Sequence, residues 1–214
     1  MKAVAVTQRV VVDPPYGTRR DCLDQVWVKF LLECGLIPIP IPNTVDAAMQ
    51  ICERVGGIVL TGGNDLTAYG GDAPERDETE AALLDLAERR DVPVLGVCRG
   101  MQMILHRFGA RLEKVQGHVA PRQRILIDGR SVEVNSFHNF GAMEVYPPLM
   151  TWAIADDGVI KAVRHSNRRM IGVMWHPERR EPFAADDIAL FSGFFEAREF
   201  SRPALSRPAL SRPE

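Results

Sequence analysis

Cys98 stands at the centre of Gly96-Val97-Cys98-Arg99-Gly100, between an apolar stretch and a segment whose Met101, Ile104, Leu105 and Phe108 fall at i, i+3, i+4 and i+7. A Gly-x-Cys-x-Gly at a strand-to-helix junction is what a nucleophile elbow requires. The sharp turn strains its central residue, and glycines two positions away let strand and helix approach without Cβ clashes. The thiol then sits at the positive end of a helix, which favours the thiolate. The competing reading is a cysteine that fills space at a strand end. A second constellation, His176-Pro177-Glu178, follows another apolar stretch. Residues two apart on an extended chain face one side, and Pro177 biases His176 toward extended geometry, so imidazole and carboxylate become neighbours. Taken alone this trio also fits a surface histidine beside a solvated glutamate. With the elbow it completes a Cys-His-Glu triad of Cys98, His176 and Glu178. Acyl transfer at a thiol further needs rigid N–H donors for the developing oxyanion. Gly63, in the Gly-Gly turn after an apolar strand, and Arg99 are the candidates; a plain glycine turn is the alternative.

Such chemistry depends on strands that end where the reactive residues begin. Residues 3–7, 36–41, 57–61 and 92–97 read as short buried strands. Between them, Leu23, Val26, Trp27, Phe30 and Leu31 recur at helical spacing up to Gly35, and Thr44 can cap a helix carrying Ala48, Ile51, Cys52 and Val55. Asp77 and Glu80 form a capping-box-like start to a helix that runs to Arg90. Alternation of this kind predicts an α/β fold: a mostly parallel sheet covered by helices on both faces. Beyond residue 120 the rhythm turns antiparallel. Residues 124–127 and 131–135 flank Asp128-Gly129, a strong hairpin signal, and residues 151–155 and 159–164 flank Asp156-Asp157-Gly158. An added antiparallel ribbon is therefore expected, after which residues 171–175 return to the sheet and a last helix covers 185–199. Residues 1–200 are expected to form one domain. The SRPAL repeat over 201–214 is expected to be disordered, a short linear binding motif being the alternative.

The 214 residues are 46% hydrophobic and 25% charged, enough to bury one good core. A net charge of -2 without a basic block gives no reason to expect nucleic acid or a membrane as partner. No apolar run approaches the ~20 residues that cross a bilayer, so a soluble protein is expected. Four cysteines without C-x-x-C spacing and no secretory signal point to a reduced, cytoplasmic setting. Cys34 and Cys52, on apolar helix faces, and Cys22, at the start of a helix, are expected to be structural; His106 and His165 read as surface or turn residues. No metal and no cofactor are expected, since paired cysteines and H-E-x-x-H are both missing. Residues 9–21 read as a loop whose Arg9, Arg19 and Arg20 suit phosphate oxygens, with a solvated surface loop as the alternative.

Taken in order, GGND (62–65), RDETE (76–80), LGVCRGMQ (95–102), VNSFHNF (134–140) and GVMWHPE (172–178) resemble a class I glutamine amidotransferase domain, with its flavodoxin-like fold. Within that class the chain is similar to the γ-glutamyl-γ-aminobutyrate hydrolase-like branch, peptidase family C26, over roughly residues 3 to 195. The resemblance implies that Cys98 attacks a γ-glutamyl carbonyl to give a thioester, that His176 protonates the leaving nitrogen, and that water releases glutamate. It also implies that Gln102 and the stretch Ser136, Phe137, His138 and Asn139, with Asn64, hold the glutamyl group. Residues 102–108 lack the Asn-Val pair and second glycine common in the γ-aminobutyrate hydrolases, which turns the expectation toward another amine half. The expected partner is thus a small γ-glutamyl molecule, nucleotide-linked if the arginines meet a pyrophosphate, and a homodimer is compatible with this reading. A glutaminase subunit feeding a separate synthase, and a non-catalytic binding module, are the competing expectations.

Overall fold

The structure, a computed structural model, describes residues 1–197. Strand β1 (Lys2–Val6) leads into a hairpin of β2 (Arg9–Asp13) and β3 (Thr18–Cys22), then α1 (Gln25–Glu33), β4 (Leu36–Pro40), α2 (Val45–Cys52), β5 (Ile58–Leu60) and α3 (Pro74–Arg90). Next come β6 (Val94–Val97), α4 (Arg99–Arg107), β7 (Glu113–Lys114), β8 (Val119–Ile127), β9 (Arg130–Phe137) and β10 (Phe140–Gly141). The described part ends with β11 (Leu149–Ala155), β12 (Ile160–His165), β13 (Met170–Val173) and α5 (Ala185–Glu196). The main sheet runs β4-β1-β5-β6-β13-β12-β11-β8-β9. Its first five strands are parallel to one another, and the remaining four continue it antiparallel.

Alternation along the parallel strands sorts the core onto two faces. Val4, Val6, Val59, Leu95, Val97, Ile171 and Val173 meet Trp27 and Phe30 of α1 and Phe191 and Phe195 of α5 on one face. Ala5, Ile58, Leu60, Val94 and Met170 meet Leu83 and Leu84 of α3 and Met101, Ile104 and Leu105 of α4 on the other. Period-2 strands buried on both sides need this double cover, so the helices shield both faces as the α/β reading expects. The antiparallel ribbons are in register with the same sheet, extending it past β13.

Several local expectations fail. Residues 9–21 form a hairpin, not a loop, and Cys22 ends its second strand instead of starting a helix; Asp24 caps α1 by accepting from Val26 N–H at 3.1 Å. The third helix starts at Pro74, so Asp77 and Glu80 lie inside it and do not form the box that opens it; Asp77 Oδ2 accepts instead from Thr67 N–H at 2.8 Å. His165 is buried, its Nδ1 accepting from Asn167 N–H at 3.0 Å. Cys34 and Cys52 are buried as expected, and burial pushes their thiols up to about 12 and about 11. The last helix ends at Glu196, and the SRPAL repeat lies outside the described residues.

Two glycines set how closely α4 crosses the strands beneath it. A Cβ on Gly96 would sit 2.5 Å from the Gly100 carbonyl carbon, and one on Gly100 would enter the Leu60 backbone. Neither neighbour is a flexible side-chain end, so the only relief is to pry strand and helix apart. Exposed Gly193, inside α5 at ordinary φ, has nothing within 4 Å of such a position. We expect Gly96→Ala to destabilise the fold by about 2–3 kcal/mol through overpacking. Gly193→Ala should stabilise it by about 0.5–1 kcal/mol through helix propensity. Urea denaturation of the two variants beside the parent measures both.

Candidate active site

Cys98 has φ 52° and ψ -105°, outside the wells that L-residues normally occupy. Such a backbone costs about 1–3 kcal/mol and persists only when its surroundings over-determine it. They do: Cys98 N–H donates to Val173 O at 2.8 Å, its carbonyl accepts from Gln102 N–H at 3.0 Å, and the Gly96–Gly100 approach fixes the crossing. The thiol emerges at the N-terminus of α4 with Sγ 3.9 Å from Phe137 O, too long a contact to bind it firmly. Below it, a Cβ on Gly62 would lie 3.5 Å from Cys98 Cβ and 2.8 Å from His176 Cε1, so thiol and imidazole flank the same glycine.

Past β13, His176 opens a 3₁₀ turn, Pro177–Arg179, that folds Glu178 back onto it. His176 Nδ1 and Glu178 Oε1 are 2.7 Å apart, and both side chains are about 2% exposed. With Nδ1 donating to the carboxylate, Nε2 remains for proton transfer; it has no partner of hydrogen-bond geometry among the described residues. Asn135 grips the His176 backbone from both sides, its Nδ2 donating to the carbonyl at 2.8 Å and its Oδ1 accepting from N–H at 2.7 Å. Burial draws the imidazole pKa down, and the charges of a Cys98 thiolate and of Glu178 overcome it, leaving the pKa raised to about 9.

The Gly-Gly loop is anchored from α3. Arg76 donates through Nη2 to Thr61 O at 2.7 Å, and through Nη1 to Gly62 O at 3.1 Å and Gly63 O at 2.5 Å. With those carbonyls turned to Arg76, Gly63 N–H donates no hydrogen bond among the described residues. Arg99, first residue of α4, has an N–H without an intrahelical partner. Its side chain is buried and paired with Asp77 and Glu80.

A cavity of about 260 Å³ beside Cys98 is lined by Gly63, Asn64, Gln102, Phe137, His138 and Asn139 among others. Gln102 Nε2 donates to Phe140 O at 2.9 Å, which leaves its amide oxygen unpaired among the described residues. Other expected contacts are engaged elsewhere. Asn64 exchanges hydrogen bonds with the Val10 backbone at 2.8 and 3.0 Å, and Ser136, away from the cavity, donates to His118 O at 2.8 Å. His138 borders the cavity, yet its Nδ1 meets Phe140 O at 2.9 Å and its Nε2 meets Lys161 Nζ at 2.6 Å. Burial and the Lys161 charge hold His138 down to about 3, so it is neutral and its Nε2 accepts from the ammonium. Burial lowers Lys161 itself to about 8, the charges of Asp157 and Cys98 opposing. Of the three loop arginines, Arg9 lies against Gly63. Arg19 is paired with Glu75 at 2.6 Å and Arg20 with Asp13 at 3.4 Å, both on the exposed hairpin.

A model of the Peptidase C26 family matches residues 3–124 and 120–178. The chain belongs to that family. Among C26-like relatives, it is 29% identical over 181 residues to a γ-glutamyl-CDP-amidate hydrolase of Campylobacter jejuni, covering 82% of this chain and 90% of that one. It is 26% identical over 223 residues to the γ-glutamyl-γ-aminobutyrate hydrolase of Escherichia coli K12, covering 85% and 88%. The fold also matches solved structures. The Trypanosoma brucei CTP synthase glutaminase domain with bound acivicin superposes with TM-score 0.70 at 13% identity, over 97% of this chain and 98% of that one. A glutamine amidotransferase of Thermotoga maritima gives 0.63 at 15% identity, over 83% and 76%. Arg76 and Lys161 support the candidate site and were not singled out in the sequence, and Asn135 was marked only as part of a polar stretch. Only Arg76 and Asn135 carried a signal, by lying inside the RDETE and VNSFHNF motifs.

A raised His176 pKa has a definite sign. The imidazolium's stabilising interactions are fully present below pH ~6.5 and are lost as pH rises through about 9. NMR titration of the ring should give a midpoint near 9 in the parent protein. In Glu178→Gln and in Cys98→Ser the midpoint should fall toward the unperturbed ~6.5, each variant having lost one of the two groups that raise it. A midpoint that does not move in either variant would contradict the triad.

Proposed function

We propose that this protein hydrolyses a γ-glutamyl amide bond through Cys98. The observation that carries the reading is the conjunction at one glycine: a strained Cys98 and an oriented His176 both flank Gly62, with two N–H groups nearby that lack partners among the described residues. Cys98 thiolate adds to the γ-carbonyl, and the oxyanion that forms is held by Gly63 N–H and Arg99 N–H. Collapse breaks the C–N bond while His176 Nε2–H gives its proton to the departing nitrogen, leaving a glutamyl thioester. Water then loses a proton to His176 and attacks the thioester, releasing glutamate and restoring the thiolate. Glu178 keeps the imidazole in the required tautomer throughout and stabilises its cation. Gln102 and Asn139, which line the cavity, are assigned to the α-amino and α-carboxylate of the glutamyl group.

For the amine half, the reading favours a nucleotide-linked substrate, γ-glutamyl-CDP-amidate, giving cytidine diphosphoramidate for modification of surface polysaccharide. The similarity to the Campylobacter jejuni enzyme over most of both chains supports it. A γ-glutamyl-γ-aminobutyrate or other γ-glutamyl-amine substrate is the second reading, supported by the Escherichia coli relative.

Incubation with γ-glutamyl-CDP-amidate, γ-glutamyl-γ-aminobutyrate and glutamine, following glutamate release, separates these readings. Cys98→Ser should lower turnover by at least about 10³-fold while the thermal melt stays close to that of the parent. Release that appears only with a synthase present would reassign the protein as a glutaminase subunit. No glutamate from any substrate would sink the hydrolase reading.

A further inference from the structure

Among the described residues that line the acyl cavity no cation is unpaired: Arg99, the one arginine there, is buried and neutralised by Asp77 and Glu80. It suits the zwitterionic glutamyl end and offers nothing to additional negative charge. The surroundings of His176 differ. On one side a small recess brings Arg9 and Arg179 to the walls formed by Gly62, Gly63 and His176. On the other, Phe137, whose ring centroid lies 5.9 Å from that of His176, forms the border with an open groove of about 530 Å³. Arg179 lines the recess and the groove alike, with its guanidinium 5.3 Å from the Phe137 centroid; Arg180 and Arg122 continue the groove outward.

These arginines are weakly neutralised. Arg9 and Arg180 have no ion pair among the described residues. Arg179 reaches Glu178 Oε1 only at 3.6 Å with 44% of its side chain exposed, and Glu178 already serves His176. Arg122 and Glu133 stand 3.7 Å apart, both mostly exposed, a geometry worth little. Glu133 and Glu181 in the groove and Asp24 in the recess are the opposing carboxylates, so four cations face three anions besides the engaged Glu178.

A leaving nitrogen must pass within reach of His176 Nε2, and whatever it carries must leave the acyl cavity, which the recess adjoins at Gly63 and the groove at Phe137. Resting on the γ-glutamyl hydrolase reading, we propose that Arg9 and Arg179 flank the scissile nitrogen and, with Arg180 and Arg122, form a subsite for a phosphoryl-bearing amine half of nucleotide size. Guanidinium forks match phosphoryl oxygens in geometry as well as charge. Phe137, Pro182 and Phe183 give the groove apolar surface for the uncharged remainder. Arg19 and Arg20, engaged on the hairpin, take no part.

The test compares kcat/KM for γ-glutamyl-CDP-amidate with that for glutamine in the parent, in Arg9→Ala, and in the exposed pair Arg122→Ala/Arg180→Ala. The ratio of the anionic to the neutral substrate should fall about tenfold or more in each variant, as expected for losing charge-assisted hydrogen bonds. Calorimetric binding of CDP to the Cys98→Ala protein gives a readout that needs no turnover. The same arginine substitutions should weaken it by a similar factor, and raised salt should weaken it in the unsubstituted background. An unchanged substrate ratio, or CDP binding indifferent to the arginines, would overturn the subsite. If no substrate releases glutamate but arginine-dependent CDP binding persists, the hydrolase reading fails and the anion subsite stands.

Discussion

Four charged side chains beneath the elbow hold the two halves of the site together. Arg76, Glu80 and Arg99 are at most 1% exposed, and Asp77 closes the group at its edge. Glu80 receives Arg76 Nε on one oxygen at 3.0 Å and Arg99 on the other. Each ion would cost several kcal/mol to bury alone, and the cluster is tolerable because it is neutral and densely hydrogen-bonded. Burial and the Arg99 charge pull Arg76 down to about 10, still protonated at physiological pH. Burial works against the Glu80 carboxylate, and the two guanidinium groups outweigh it, holding Glu80 below the usual carboxylate range. The geometric outcome matters more than net stability. Arg76 dictates which way the carbonyls of the Gly-Gly loop point, while Arg99 ties the first residue of the elbow helix to the same carboxylate. Both candidate oxyanion donors are thereby fixed against one helix.

That cluster also marks where sequence reading stops. Asp77 and Glu80 at i and i+3 before an apolar stretch are what a capping box looks like, and spacing alone cannot tell a carboxylate facing an N–H from one facing an arginine. The deciding partner, Arg99, comes from another element. The elbow was legible because its determinants, two glycines and an amphipathic helix, are local. The parallel strands were legible because burial on both faces leaves continuous apolar runs. The β2–β3 hairpin was not, since Thr18–Cys22 is almost wholly exposed and polar, and its pairing rests on backbone hydrogen bonds that leave no side-chain pattern.

The polar motif over residues 134–140 was visible in the sequence, yet its residues divide by parity. Alternation along an extended chain sends Asn135 and Phe137 to one side and Ser136 and His138 to the other. The first pair reaches the reactive centre: Asn135 fixes the His176 backbone, and Phe137 borders Cys98 and His176. The second pair meets Lys161, whose Nζ donates to Ser136 Oγ at 3.0 Å and to His138 Nε2. Composition showed donors and acceptors in the right segment, while the direction each faces is set by register with β8 and by what β12 places underneath.

Lys161 explains why the antiparallel half of the sheet belongs to the site. A buried ammonium is costly, and among the described residues none of its hydrogen-bond partners is a carboxylate; it donates to a hydroxyl and to a neutral imidazole. Asp157 favours its charge at one remove, paired with His118 at 2.9 Å, which packs on His138 at a centroid distance of 5.0 Å. Because Lys161 donates to Nε2, His138 must carry its proton on Nδ1 and give it to Phe140 O, the same carbonyl that receives Gln102. The tautomer of one histidine and the orientation of one amide are thus decided together, from a lysine on β12. The cavity beside Cys98 is preorganised from below by a chain of donors running in one direction, from Lys161 through His138 to the carbonyl that also holds Gln102.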